Sequence, residues 1–307
     1  MHSAKCPRPE MLYRSLQPSS FDPLKPSLSA GDLRACQRTF HFLFVADFEA
    51  NCERDQPIQP LQEITEFSGV LFDMAKMEEV ATFQEFVKPK VVPTLTPFCT
   101  ELTGIIQADV ENAPSFEEVL LKFEAFLRAH GLLDGRGRSS RDRRWAFATI
   151  GDWDIKTLLR TQAAFYNVAL PDYFEQWINL KLTFRDVFRY YPWSMTSMLK
   201  DLNVLQMGRL HSGIDDAKNT CQIVRQLARR GANFRLTSTY FGRYPGYRGE
   251  AVTHVQNKDG DVLSLGGMSP PRVFDSPSRP QQALFPFFYA DSPISIPFYA
   301  ANISNTL

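Results

Sequence analysis

The chain has 307 residues, 44% of them apolar and 22% charged, which describes an ordinary globular protein with room for one domain of about 200 residues plus flanks. No apolar run reaches the roughly 18 residues a membrane span needs, and the N-terminus lacks the apolar core of a secretory signal. Lys plus Arg balances Asp plus Glu at 34 each, which argues against a long salt-sensitive footprint on a phosphate backbone but not against a grip on a few terminal nucleotides.

A cytoplasmic and/or nuclear protein is therefore expected, with no membrane partner, while organellar targeting by the N-terminal segment stays open. Five scattered cysteines without a C-x-x-C pair suit reduced thiols rather than a zinc cluster or a disulfide framework. Residues 1–38, punctuated by Pro and Ser, read as a disordered leader, and order begins near Thr39. The run FHFLFVA (40–46) has the aromatic, β-branched, charge-free character of a strand buried on both faces. Partly alternating stretches at 63–73 and 79–89 predict two more strands joined by a turn at Met74–Met77. Ser115 and Glu118 form a capping box, and Phe116, Val119, Leu120, Phe123 and Leu127 recur at helical spacing up to His130-Gly131.

GRGRSSRDRR, within an Arg-rich loop at 135–144, is read as either a solvated loop or a phosphate contact. WAFATIG (145–151) predicts a strand, Asp154–Tyr166 a helix, WINLK (177–181) a last strand, and the pattern from Asp215 to Gly231 a last helix. Strands in succession followed by alternating helices and strands predict an α/β fold, a mixed sheet with helices on both faces. This domain is assigned to 39–240. The Pro- and aromatic-rich tail at 241–307 has no period and reads as mostly disordered, with FFYA and PFYA near its end as a docking peptide for a protein partner.

Three short motifs carry the chemistry. Asp47 and Glu49, two apart after the apolar strand, lie on one face if that strand continues. Burying both needs a neutralising cation, and hard divalent ions suit carboxylate oxygen; the alternative is a pair of solvated acids at the strand's mouth. GDWD (151–154) sits at a strand-to-helix junction, where Asp154 or Asp152 is either a ligand or a helix cap. HSGIDD (211–216) places His211 on a loop and an acid in the first helical turn, with an imidazole suited to take a proton from water. Together the acids suit two Mg²⁺ ions, which Mn²⁺ can replace, about 4 Å apart across a scissile phosphate.

DFEA (47–50), QEITEF (62–67), LTPFCTELTGI (95–105), GDWD, QWINLK (176–181) and HSGIDDAKN (211–219) resemble, in order and spacing, the DEDDh exonucleases of the enhanced-RNAi type. Within them the chain is similar to the branch of the prion-protein-interacting exoribonuclease. The resemblance implies a ribonuclease H-like fold and hydrolytic release of nucleoside 5′-monophosphates from RNA 3′ ends, single-stranded or with a short overhang. It selects Asp154 over Asp152 and Asp216 over Asp215, making Asp47, Glu49, Asp154 and Asp216 metal ligands and His211 the general base. Glu49, Ala50, Leu102, Thr103, Trp153 and His211 become contacts to the terminal nucleotide. Asn51 and Leu210 stand where relatives usually have Thr and Pro, which predicts altered fit rather than loss of activity. Two other readings remain: a DNA 3′–5′ exonuclease of the same superfamily, or a catalytically silent RNA-binding adaptor.

Overall fold

A computed structural model describes residues 40–240, together with the short strands 242–243, 254–256 and 262–264. The leader and nearly all of the tail, including the FFYA and PFYA segments, lie outside the described residues. Strand β1 (Phe42–Ala50) pairs antiparallel with β2 (Ile64–Asp73), which pairs antiparallel with β3 (Glu78–Phe86). On its other side β1 runs parallel to β4 (Trp145–Thr149), and β4 parallel to β5 (Gln176–Asn179). Strands β6 (Ser238–Thr239) and β7 (Gly242–Arg243) complete the order β3-β2-β1-β4-β5-β6-β7. This is the mixed sheet expected from the sequence, and helices cover both faces.

Period-two alternation divides β1 between two cores. Phe42, Phe44, Ala46, Phe48 and Ala50 face an aromatic layer closed by Phe67, Phe83, Phe123 and Phe147. Its helical cover is α3 (Phe116–Ala129), preceded by the short helices α1 (Pro97–Thr103) and α2 (Gln107–Glu111), which follow β3. Leu43 and Val45 face the other way, against Val70, Phe72, Ile223, Val224 and Leu227. Of these, the last three lie on a long helix, Gly213–Arg229, whose label follows once the intervening helices are placed. Burial on both faces explains why the strand reads as a nearly continuous apolar run.

Helix α3 begins as its capping box dictates: Glu118 N–H donates to Ser115 Oγ (3.3 Å), and Ser115 N–H donates to Glu118 Oε2 (2.7 Å). Ser115→Ala should lower stability by about 1 kcal/mol, read as a lower midpoint of chemical denaturation with unchanged slope.

Beyond β4 a wide π-type turn (Trp153–Leu159) leads into α4 (Arg160–Tyr166), in place of the single regular helix predicted from Asp154. The strand predicted at 177–181 stops at Asn179. Asn179 Oδ1 accepts from Lys181 N–H (3.0 Å), so Leu180 and Lys181 open helix α5 (Leu180–Phe188) instead. Helix α6 (Met195–Asp201) and α7 (Gly213–Arg229) follow, and α7 starts two residues earlier than its apolar pattern suggests. No helix among the described residues is long and apolar enough to cross a membrane. Cys52, Cys99 and Cys221 are buried and free.

Candidate active site

Strand β1 runs on through Ala50, so Asp47 and Glu49 share the face of Leu43 and Val45, the face that α7 covers. The acids are therefore a pair on one face rather than solvated groups beyond a strand end. Helix α7 arrives with its N-terminus at this end of β1 and brings Asp216 in its first turn. His211, just before the helix, adopts a left-handed backbone (φ 60°), and its N–H donates to Asp216 Oδ2 (2.8 Å). A carboxylate oxygen of Glu49, one of Asp216 and a ring nitrogen of His211 all lie within 4.8 Å of one another.

Asp154 joins them from the π-type turn. Its Oδ1 accepts from the N–H of Phe48 (3.0 Å), across 106 residues of sequence, so β1 and the turn after β4 are tied at the acids. The neighbouring acids have other partners. Asp152 Oδ1 accepts from the indole N–H of Trp177 (2.8 Å), and Asp215 Oδ2 accepts from Arg209 N–H (3.0 Å).

The electrostatics are those of crowded carboxylates. Burial, then the charges of Asp154 and Glu49, hold Asp47 well above the usual carboxylate range. Burial, then Glu66 and Asp216, do the same to Glu49. Burial pushes Asp216 up to about 6, against hydrogen bonds from His211 and Asn219 that pull it down. Burial, assisted by Arg209, lowers His211 and keeps its imidazole neutral near physiological pH. Asp216 Oδ1 is buried and has no hydrogen-bond partner among the described residues. An orphaned, solvent-poor carboxylate oxygen beside two further acids is what a hard divalent cation satisfies. The donor set therefore fits such an ion.

The substrate contacts expected from the sequence are placed unevenly. Ala50 is buried, and its carbonyl accepts from the thiol of Cys99 (3.6 Å). Leu102 is half-buried at the end of α1. Thr103 is buried, and its hydroxyl serves its own helix end, donating to Cys99 O (2.9 Å) and accepting from Ile105 N–H (3.1 Å). Trp153 packs partly against the aromatic core. Gly104, at φ 81°, leaves the space that the Arg209 guanidinium fills; a Cβ there would meet Nη1 at 2.5 Å. Arg209 Nη2 also donates to the carbonyls of Glu101 and Leu102, which ties the LTGI segment to the loop carrying His211.

Asn51 is buried and holds the chain beyond β1: its Oδ1 accepts from Glu63 N–H (2.7 Å). Leu210 packs against the core beneath α7. The Arg-rich loop lies elsewhere. Arg136, Arg138 and Arg141 line a cavity with Trp145, the first residue of β4 and the partner of Phe42. That is the opposite end of β1 from Asp47, about 16 Å away along the strand.

One residue escaped the sequence reading. Glu66 stands directly opposite Glu49 in the β1–β2 register and is 2% exposed. Its only sequence signal was a second acid in QEITEF.

The model of the exonuclease family (RNase_T) matches residues 44–224. ERI1 exoribonuclease 3 of Homo sapiens is 43% identical over 203 residues, which are 66% of this chain and 58% of that protein. The 3′-5′ exonuclease Snipper of Drosophila melanogaster is 32% identical over 222 residues, 70% of this chain and 79% of that one. The solved nuclease domain of 3′hExo, a DEDDh family member bound to rAMP, superposes with a TM-score of 0.61 at 29% identity, covering 65% of this chain and 98% of the domain. The chain spans less than two thirds of the length of ERI1 exoribonuclease 3. The residues matched by the family model lie within the described domain and include the acidic cluster. The chain belongs to the exonuclease family, a family of divalent-metal-dependent nucleases.

Proposed function

We propose that the protein is a 3′–5′ exoribonuclease that hydrolyses RNA 3′ ends to nucleoside 5′-monophosphates. The observation that carries this reading is the convergence of Glu49, Asp216 and His211 within 4.8 Å, with Asp47 and Asp154 near enough that their charges and those of Glu49 and Asp216 act on one another. The preference for RNA is supported by the names of the relatives. The rAMP bound to the 3′hExo domain is also a nucleotide of the expected product class.

Asp47, Glu49, Asp154 and Asp216 are assigned as ligands for Mg²⁺, for which Mn²⁺ can substitute. When bound, such ions supply Lewis-acid stabilisation of charge on the scissile phosphate. The protein's own groups do the rest. His211, held neutral by burial, takes the proton from the attacking water at a ring nitrogen, and water adds to the terminal phosphorus as the bond to the penultimate 3′ oxygen breaks. The packing of β1 against the start of α7 fixes the acids before substrate arrives, so little reorganisation is needed. Leu102 and the LTGI segment are assigned to the terminal base and sugar, positioned by Arg209.

Incubation of a 5′-labelled RNA oligonucleotide with the full chain and Mg²⁺ should yield a ladder of shortened products and free 5′-monophosphates, abolished by chelator. A matched DNA should be cut more slowly. Faster cutting of DNA would move the protein to the deoxyribonuclease side of the superfamily, and binding of RNA without shortening would make it an adaptor.

A further inference from the structure

Helix α7 carries the His211–Asp216 half of the site, yet its N-cap residue Ser212 makes no side-chain capping hydrogen bond. A helix start leaves several N–H groups unsatisfied, and they favour a negative charge. Here the cap comes from a different strand. Glu66 Oε2, on β2, accepts from Gly213 N–H (3.3 Å), and Ile214 N–H also donates to this carboxylate. Gln84 Nε2, on β3, donates to Glu66 Oε1 (2.9 Å) and fixes the carboxylate from behind.

The arrangement is costly. Glu66 stands directly opposite Glu49, where like charges across a strand pair are destabilising. The N-cap is itself a serine, whose hydroxyl could satisfy the helix without bringing a further carboxylate to crowded acids, yet Ser212 makes no such bond. The geometry also leaves the helix little freedom. Gly213 lies so close to the sheet that a Cβ would meet Ser68 Oγ at 2.3 Å and the carbonyl oxygen of Asp47 at 2.7 Å.

We propose that Glu66 is a positioning residue, which caps α7 from the neighbouring strand and so holds His211 and Asp216 in register with Asp47 and Glu49. Nothing else among the described residues ties the first turn of α7 to β2 by a charged side chain. The inference rests on the exonuclease reading for its kinetic consequence but not for its structural one.

The test uses the full chain with Glu66→Ala and Glu66→Gln. Glutamine keeps a carbonyl oxygen for Gly213 N–H, and Gln84 can turn its amide to match. In Glu66→Ala, amide hydrogen exchange at Gly213–Asp216 should quicken at least about tenfold, while exchange in the middle of α7 stays unchanged. Mn²⁺ binding, read by calorimetry without substrate, should weaken by about 10- to 100-fold. The kcat for RNA should fall by about 100-fold with KM within about threefold. Glu66→Gln should recover most of each loss.

Wild-type exchange and wild-type Mn²⁺ affinity in Glu66→Ala would overturn the proposal. So would equal damage in both variants, or fast exchange along all of α7, since either would mark a general packing role. If the wild-type chain released no nucleotides, the exonuclease reading would fall. The exchange and Mn²⁺ measurements would still decide the role of Glu66.

Discussion

Replacing Asp216 with asparagine is expected to lower the rate of nucleotide release by about a thousandfold, the scale on which loss of one electrostatic partner of a developing charge is felt. The same variant should make the metal-free chain more stable at neutral pH. Burial raises the folded-state pKa of Asp216 from 3.8 to about 6, so the folded chain holds this proton more tightly than the unfolded chain does. The stability linked to that proton is present at low pH and is lost as pH rises from about 4 through 6. Asparagine is neutral throughout and removes the loss, worth up to about 2–3 kcal/mol above pH 6.

Thermal melts in chelator should therefore show wild type falling relative to Asp216→Asn between pH 4 and 7. At pH 7.5 the variant should melt about 4 °C or more higher. Added Mn²⁺ should raise the wild-type melting temperature at pH 7.5 and move the variant much less. A variant both inactive and less stable than wild type in chelator at every pH would refute the view that function here is held at the expense of stability.

Gly213→Ala is the second large effect. The added methyl would fall 2.3 Å from Ser68 Oγ, 2.7 Å from Asp47 O and 3.4 Å from Glu66 Cδ. Ser68 cannot simply turn away, because its hydroxyl donates to that same Asp47 carbonyl (2.6 Å), and the carbonyl is backbone in the central strand. The helix start must move, which costs about 2–3 kcal/mol on the scale of an overpacked core. A shift of about 1 Å between the two halves of the site is also enough to lower kcat by about 100-fold. Adding Ser68→Ala to Gly213→Ala removes the nearer obstacle and leaves the backbone one, so partial recovery of the melting temperature is expected. Wild-type kcat in Gly213→Ala would show that the approach of α7 to β1 is looser than these contacts require.

The site was partly legible in the chain. Local patterns in the chain announced much of it. The apolar run ending in Asp47 and Glu49 marked a buried strand with acids at its end, and a strand's period of two put them on one side. Ser115 and Glu118 marked a helix start that the structure reproduces bond for bond. Where local signals conflict, the sequence misleads. WINLK has the composition of a strand, yet the Asn179 side chain caps Lys181 and starts a helix. Short apolar runs fit either period, and burial on all sides removes the alternation that would decide.

The inventory and its local geometry were legible along the chain: which acids exist, which share a strand face, and which begin a helix. Those follow from bond geometry and hydrogen bonds a few residues long. The place of β1 between β2 and β4 came instead from the packing of the whole sheet. That order brings Asp154 to the N–H of Phe48 and Asp216 to Glu49. It also turned Glu66 from an ordinary strand acid into a cap for a helix 147 residues away. Such contacts depend on the packing of whole elements, and no short-range period encodes them. Asp47 and Glu49 could be read from the chain, but what faces them could not.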